Sequence, residues 1–468
     1  MKRTLLIFSV CALLLGFKAA AQNPYTLTVF NQAVYYGMYE GTVSEPIPAG
    51  AIRNSNSSYG KKLTDDQLDA IGNTLQMTVT LNPLCDNYDR IGNANLAFVP
   101  KNATSYIYND VQRIELGRFI TPFMDMRVTN PNAVPYVFDI DNVTEILHDP
   151  ILRQQYDFWV ELEVYGYQGG PGQGGAAVEI PGCAGRNDVY MGSLTFQSSI
   201  DPTINREQHY FSPLSYKFEL KNYVEATATN FRGQGTDAVG QTVRTINFTL
   251  PEAVANAKFY LVTSNHGSGT NGEEYVRRVH NVLLDNTQVA TYIPGGVSCV
   301  PYRVYNTQEN CVYRRCDLPN APYRPNLNSQ WSWNNWCPGN KIPTREIALG
   351  NLTAGPHSFK INVPDAEFFN NDGYFPMSVY VQAYSETLSA NDFKAATISI
   401  YPNPVSDVAT IATNGQQVKL VNVINTLGQT VLQGSTNTID LSNLQNGIYI
   451  IKVQFDNNQV ATKKIVKN

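Results

Sequence analysis

Phe158-Trp159-Val160-Glu161-Leu162-Glu163-Val164-Tyr165 decides the fold class. Successive side chains of an extended strand point to opposite faces. Phe158, Val160, Leu162 and Val164 therefore share one face, and Trp159, Glu161, Glu163 and Tyr165 the other. The first face predicts a core. The second carries two carboxylates, which are seldom buried, and predicts a surface toward water or a ligand. The same period of two runs through Gln76-Met77-Thr78-Val79-Thr80-Leu81 and through Thr245-Ile246-Asn247-Phe248-Thr249-Leu250, which stops at Pro251. Asn281 to Asn286 reads as a strand entering a turn, and Met377, Val379 and Val381 alternate with Ser378, Tyr380 and Gln382. Short alternating runs separated by turn residues predict an all-β protein.

Composition agrees. The chain has 28 Tyr and 20 Phe, which suit strands, with 33 Gly and 26 Pro, which suit turns. Its 468 residues give room for about three domains at ~150 residues each. A net charge of -5, with only 16% of residues charged, argues against nucleic acid, which needs a basic footprint. The start reads as a secretory signal peptide over residues 1–21. Lys2-Arg3 precedes an apolar run from Leu5 to Leu15, and Ala19-Ala20-Ala21 offers a cleavage site before Gln22. The run is too short for a membrane anchor, and no other span is expected.

Cys11 leaves with that signal, and Cys85, Cys183, Cys299, Cys311, Cys316 and Cys337 remain. An even number in an exported chain predicts disulfides, and six cysteines allow fifteen connectivities. Cys311 and Cys316 have a spacing that zinc could use, but no second close pair completes four ligands, so no metal is expected. The Gly-rich run from Gly166 to Gly175 lacks a following Lys-Ser/Thr and predicts a surface loop rather than a phosphate cradle. Histidines flank Glu274 at His266 and His280 without forming His-Glu-x-x-His, and no Gly-x-Ser-x-Gly elbow occurs.

Composition shifts after about Glu386. Tyr401-Pro402-Asn403-Pro404 opens a small unit that closes with Asn446-Gly447-Ile448-Tyr449 and a basic end at Lys463-Lys464-Ile465-Val466-Lys467-Asn468. This run resembles the C-terminal sorting domain of the Bacteroidetes type IX secretion system. The resemblance implies a small β-sandwich over 397–468, the type IX secretion machinery as a partner, and passage through the periplasm to the outside or the cell surface.

The middle carries ordered motifs: Cys85-Asp86-Asn87-Tyr88-Asp89-Arg90, Gly117-Arg118-Phe119-Ile120-Thr121-Pro122, Glu163 with Tyr165, Glu274 with Arg278 and His280, Trp336-Cys337-Pro338-Gly339, and Pro343-Thr344-Arg345. In this order they resemble the peptide-N-glycosidase F family. The resemblance implies two adjacent eight-stranded jelly-roll β-sandwiches, at 22–198 and 199–387, with the site at their interface and a linker over 388–396 before the sorting domain. It implies Asp89 as the principal catalytic acid, Glu274 as the second, from the other side of the cleft, and Glu163 as a third acid that helps hold the glycan core. Arg90 is expected to orient Asp89 or the substrate. With Tyr88, Tyr165, Tyr275, His266 and Trp336 it makes up the expected substrate-binding set.

The expected reaction is hydrolysis of the amide between Asn and N-acetylglucosamine in N-glycoproteins or glycopeptides, giving Asp and a glycosylamine. Amide hydrolysis needs a proton taken from water and one given to the leaving nitrogen. Clustered carboxylates suppress each other's ionisation, and so can supply both roles without a cofactor. This sequence departs from the family pattern at several points. Tyr88, Tyr165 and Tyr275 stand where the family's cleft has tryptophans, and another tryptophan position falls near His266. Gly272 and Val276 stand where the family has cysteines beside the second acid, and Trp333 where it has an arginine. The resemblance implies a Cys299–Cys337 disulfide. Cys311 and Cys316 are expected to pair within an insertion, and Cys85 with Cys183 is what remains. Two other functions use the same residues. One is a non-catalytic glycan- or protein-binding surface protein, which the tyrosines favour. The other is a glycosidase cutting between sugars, which needs paired acids at about 5–5.5 Å or about 6.5–9.5 Å.

Overall fold

The structure, a computed structural model, describes residues 24–170, 174–204, 206–224, 234–235, 238–267, 272–308, 335–386, 398–413, 417–426, 428–456 and 460–468. The signal segment, the linker, Cys311, Cys316 and Trp333 lie outside the described residues. The chain divides into two compact units, 1–386 and 387–468.

The larger unit contains two jelly-roll β-sandwiches. In the first, one sheet runs in the order Tyr25–Tyr36, Asp188–Ser199, Thr74–Pro83, Val134–Asp139. The facing sheet runs Lys341–Ile342, Gln112–Ile120, Ile91–Pro100, Tyr156–Val164, Ser58–Lys62, Ala51–Ser55. Its pairings are antiparallel. Met77, Val79, Phe158, Val160, Leu162 and Val164 fill the core between the sheets, as the period of two requires. The edge strand Lys341–Ile342 comes from late in the chain and pairs with Arg118 and Phe119, which stitches the two sandwiches together.

The second sandwich faces Arg206–Leu220, Phe375–Glu386, Val254–Thr263 and Arg345–Leu352 against Val243–Leu250, Gly355–Asn362, His280–Leu284 and Thr287–Tyr292. Phe248, Phe259, Leu261, Phe359, Ile361, Met377, Val379 and Val381 form its core. Asp285 and Asn286 turn the hairpin with φ of 49° and 64°, the positive values that a tight two-residue turn demands.

The polar face of Tyr156–Val164 corrects the sequence expectation. Glu161 is 0% exposed and Glu163 3% exposed, so the face turns neither to water nor to open solvent. Tyr106 of the first sandwich covers its Trp159 and Glu161, and the second sandwich meets it at Glu163. Each carboxylate meets a cation supplied by another segment. Arg113 grips Glu161 through Nε and Nη2, both at 3.0 Å, and Lys217 of the second sandwich reaches Glu163 at 2.6 Å. Buried acids survive when paired and hydrogen-bonded, and one strand's sequence does not reveal the partner.

The smaller unit packs Ser399–Tyr401, Val408–Ala412 and Thr438–Asp440 against Thr430–Gly434, Val418–Ile424, Gly447–Phe455 and Val460–Lys467. Ile400, Val405, Val421, Val423, Ile451, Val453 and Ile465 form its core. Among the described residues, no helix is long and apolar enough to cross a membrane.

Candidate functional site

The segment Cys85–Arg90 leaves the strand Thr74–Pro83 and is tied down at once by a Cys85–Cys183 disulfide. Asp86 shapes the path of the chain beyond it. It is 0% exposed and accepts the Tyr88 backbone N–H at 3.0 Å, an Asx turn that reverses the chain. It also accepts the Tyr167 N–H at 2.7 Å and Arg90 Nε at 2.8 Å. Thr121 receives the Arg90 N–H at 2.6 Å and donates to the Tyr88 carbonyl at 2.7 Å. The turn leaves Asp89 half-buried on the wall of a cleft of about 370 Å³, with Arg90, Met38, Tyr39, Tyr165, Lys217, His266 and Tyr374. Both sandwiches line this cleft.

Asp89 stands well above the usual carboxylate range. Burial is the main cause, and the Glu274 charge adds to it against the opposing pull of Arg90. Glu274, from the second sandwich, is therefore close enough for its charge to bear on Asp89. The Tyr275 hydroxyl bonds to Glu274, and Tyr275 is itself 39% exposed at the rim. The turn carrying Glu274 has no local disulfide, with Gly272 and Val276 at the positions in question. Asn335 braces it instead, donating its side-chain amide to the carbonyls of Glu273 at 2.9 Å, Glu274 at 2.7 Å and Val276 at 3.0 Å. Glu273 adds a second brace, 0% exposed and bonded to Arg278 Nη2 at 2.7 Å and to the Glu367 N–H at 2.9 Å.

His266 lines the cleft above a buried relay. Arg118 is held by Glu115 through two 2.7 Å bonds and donates to Ser264 Oγ at 2.9 Å. Ser264 Oγ in turn lies 2.8 Å from His266 Nε2 and shares one proton with it. Burial and the Arg118 charge push His266 down to about 3, so the ring is neutral across the ordinary pH range. Gly373 packs where a Cβ would meet the His266 carbonyl oxygen, and only glycine permits the bridge between His266 and Tyr374.

Asp89, Arg90, Tyr165 and His266 thus share one cleft, and Glu274 and Tyr275 sit beside Asp89. Three expected site residues sit elsewhere. Glu163 lies beneath the cleft wall, bonded to Lys217 and Tyr108, with the Tyr165 hydroxyl close by. Burial alone would raise it, but Lys217 and these hydroxyls hold it below the usual range. Tyr88 turns away toward a second cavity of about 780 Å³, where its hydroxyl donates to Glu179 at 3.1 Å. Trp336 is buried with Ile120, Val262 and Ile342, its indole N–H given to the Asn265 carbonyl at 2.9 Å. Its neighbour Cys337 is bonded to Cys299. Arg90 pairs with Asp86 rather than with Asp89.

The residues that sequence reasoning passed over are Asp86, Lys217, Asn335 and the rim pair Met38 and Tyr39. The i,i+4 spacing of Asp86 and Arg90 was a usable signal. Lys217 and Asn335 carry none, because their partners lie in distant segments.

Residues 26–168 match the family model for the peptide-N-glycosidase F N-terminal domain, and residues 236–382 that for its C-terminal domain. Residues 399–468 match the secretion system C-terminal sorting domain, which marks the chain for export, to secretion or to the cell surface. A solved structure of PNGF-II is 19% identical over 77% of this chain and 66% of its own, with a TM-score of 0.51. The chain thus spans slightly less than two thirds of that relative, and the likeness shows the shared fold. PNGase F, described as a glycosylasparaginase from Flavobacterium meningosepticum, is 16% identical over 78% of this chain and 97% of its own, with a TM-score of 0.47. The ulvan lyase NLR42 of Nonlabens ulvanivorans is 35% identical over 89 residues, 18% of this chain and 17% of that protein. The two-sandwich unit carries both N-glycanase domains in order, and the chain belongs to the peptide-N-glycosidase F family, with a secretion sorting domain at its C-terminus.

Proposed function

We propose that the protein is an exported peptide-N-glycosidase, which hydrolyses the amide between Asn and N-acetylglucosamine in N-glycoproteins or glycopeptides. The observation that carries this reading is the placing of Asp89 with Arg90, Tyr39, Tyr165 and His266 on one cleft lined by both sandwiches, with the Glu274 charge helping to raise Asp89. Two acids whose ionisations oppose each other can divide the work. The protonated one gives its proton to the departing nitrogen, and the ionised one takes a proton from water. The water oxygen bonds to the Asn side-chain carbonyl carbon as the C–N bond breaks, leaving Asp on the peptide and a glycosylamine on the glycan. Tyrosine faces suit the apolar side of a sugar ring, and neutral His266 is confined to hydrogen bonding. This chemistry draws on no metal and no cofactor.

The test is to incubate the purified protein and Asp89→Asn with a denatured N-glycoprotein and analyse both products by mass spectrometry. Released intact glycan with Asn converted to Asp, in the wild type alone, supports the amidase. One N-acetylglucosamine left on Asn means an endoglycosidase. No release over a broad glycan panel by folded protein means a binding protein on the same fold.

A further inference from the structure

Strand Arg206–Leu220 pairs with Phe375–Glu386, and its register slips between Ser215 and Phe218. Inside the slip Lys217 has φ of 45°, in the left-handed region that residues with a Cβ seldom enter. Such a bulge bends a strand and re-aims its side chains. Here two successive residues both reach the first sandwich, where an unbroken strand would send one of them away. The Tyr216 hydroxyl accepts from Asn95 at 2.8 Å and Asn93 at 3.3 Å. The Lys217 ammonium donates to Glu163 at 2.6 Å, the Tyr165 hydroxyl at 2.9 Å and Asn93 at 3.3 Å. The bulge is pinned by the Lys217 N–H on Ser378 Oγ at 2.9 Å, and Ser378 donates onward to Glu115 at 2.5 Å. Strained backbone persists where its surroundings over-determine it, and such strain clusters at functional sites.

We propose that Lys217 is a positioning residue of the cleft: its ammonium fixes Glu163 and Tyr165 so that the Tyr165 hydroxyl offers the bound sugar a lone pair and not a proton. This rests on the amidase reading. An ammonium has three protons, and Lys217 commits all three to protein oxygens. One lone pair of the Tyr165 hydroxyl receives Lys217, and the neighbouring Glu163 carboxylate, which can only accept, draws the single Tyr165 proton to its side. The lone pair that remains accepts. The substrate group it meets is therefore a donor, a sugar hydroxyl or the N–H of an N-acetyl group.

The experiment uses full-length protein as wild type, Lys217→Met, Lys217→Arg, Tyr165→Phe and Glu163→Gln, with an N-glycopeptide substrate. Lys217→Met is expected to lower kcat/KM about 100-fold, the scale of a small misplacement in a site. It should also move the acid limb of the pH profile upward, because a buried Glu163 without its cation protonates more readily. Lys217→Arg is expected to keep the wild-type acid limb, and Tyr165→Phe to raise KM with kcat little changed. An infrared titration, with Glu163→Gln as the difference reference, should find Glu163 ionised at neutral pH in the wild type and protonated in Lys217→Met. An acid limb that does not move, with Glu163 still ionised in Lys217→Met, overturns the proposal. An unchanged KM in Tyr165→Phe overturns the lone-pair assignment. A wild type that releases no glycan sinks the amidase reading instead, and the titration, which needs no activity, still decides whether Lys217 governs Glu163.

Discussion

The side-chain amide of Asn335 donates to the Glu274 carbonyl oxygen at 2.7 Å and to the carbonyls of Glu273 and Val276. One buried side chain thus holds the turn that presents an acid to the cleft. Asn335→Ala strands three carbonyls in a dry setting, where each unmet group costs about 1–3 kcal/mol. Urea unfolding should register the loss of at least one such group, about 1–3 kcal/mol or more. Glycan release should fall at least tenfold, at a pH and temperature where the variant is still folded. A variant with wild-type turnover would mean that the Glu273–Arg278 pair suffices.

Asp86 makes the corresponding brace for Asp89. Asp86→Ala leaves Arg90 without its carboxylate and removes two backbone acceptor contacts. Hydrogen bonds to charged groups are worth about 1.5–3 kcal/mol each, so a loss of several kcal/mol in chemical denaturation is expected, together with near-complete loss of turnover. Asp86→Asn should recover more stability than activity, since its amide oxygen can still accept from the backbone.

Asp89→Asn should abolish turnover while stabilising the fold. The folded protein holds the Asp89 proton more tightly than the unfolded chain does. Stability therefore falls as pH rises from the ordinary carboxylate range through the raised folded value. Above that window the wild type carries the penalty of a buried charge beside Glu274, and the neutral amide does not. Thermal melts at neutral pH should place the variant above the wild type, and the gap should close in acid.

Glu145 gives the fold a separate pH dependence, away from the cleft. It lies on the helix Asn142–His148, ion-paired with Arg206 at 3.0 Å, and burial lifts it to about 7 against the Arg206 charge, with Asp141 adding to the rise. The same sign applies: stability falls as pH climbs between about 4.5 and about 7. Glu145→Gln should flatten that part of a melting-temperature profile and leave glycan release unchanged. A profile that keeps its slope would assign the dependence to other groups.

The sheets were legible because a period of two is written into single strands: Phe158, Val160, Leu162 and Val164 enter the core as their spacing demands. The far face of that strand was not legible, since Arg113 and Lys217 arrive from other segments and turn an apparently wet surface into a buried seam. Asp89 and Glu274 came from ordered motifs, and Asp89 lies on the cleft wall with Arg90, Tyr165 and His266. The direction of Tyr88 was hidden for a local reason. The Asx turn at Asp86 sends neighbouring side chains to opposite sides, so Asp89 meets the cleft while Tyr88 meets Glu179. Trp336 was expected in the substrate-binding set, but it is buried with Ile120, Val262 and Ile342 and gives its indole N–H to Asn265.

The late strand Lys341–Ile342 closes the edge of a sheet whose other members end at Val164. During synthesis the first sandwich therefore emerges with that edge open and waits for its last strand until most of the second has been made. Contacts so far apart in sequence form slowly, and an open edge invites wrong partners. The two halves should accordingly behave poorly as separate fragments, and a break in the chain between them should be tolerated only when both pieces are made together. The completed first sandwich would then come late and all at once, after residue 342 has docked.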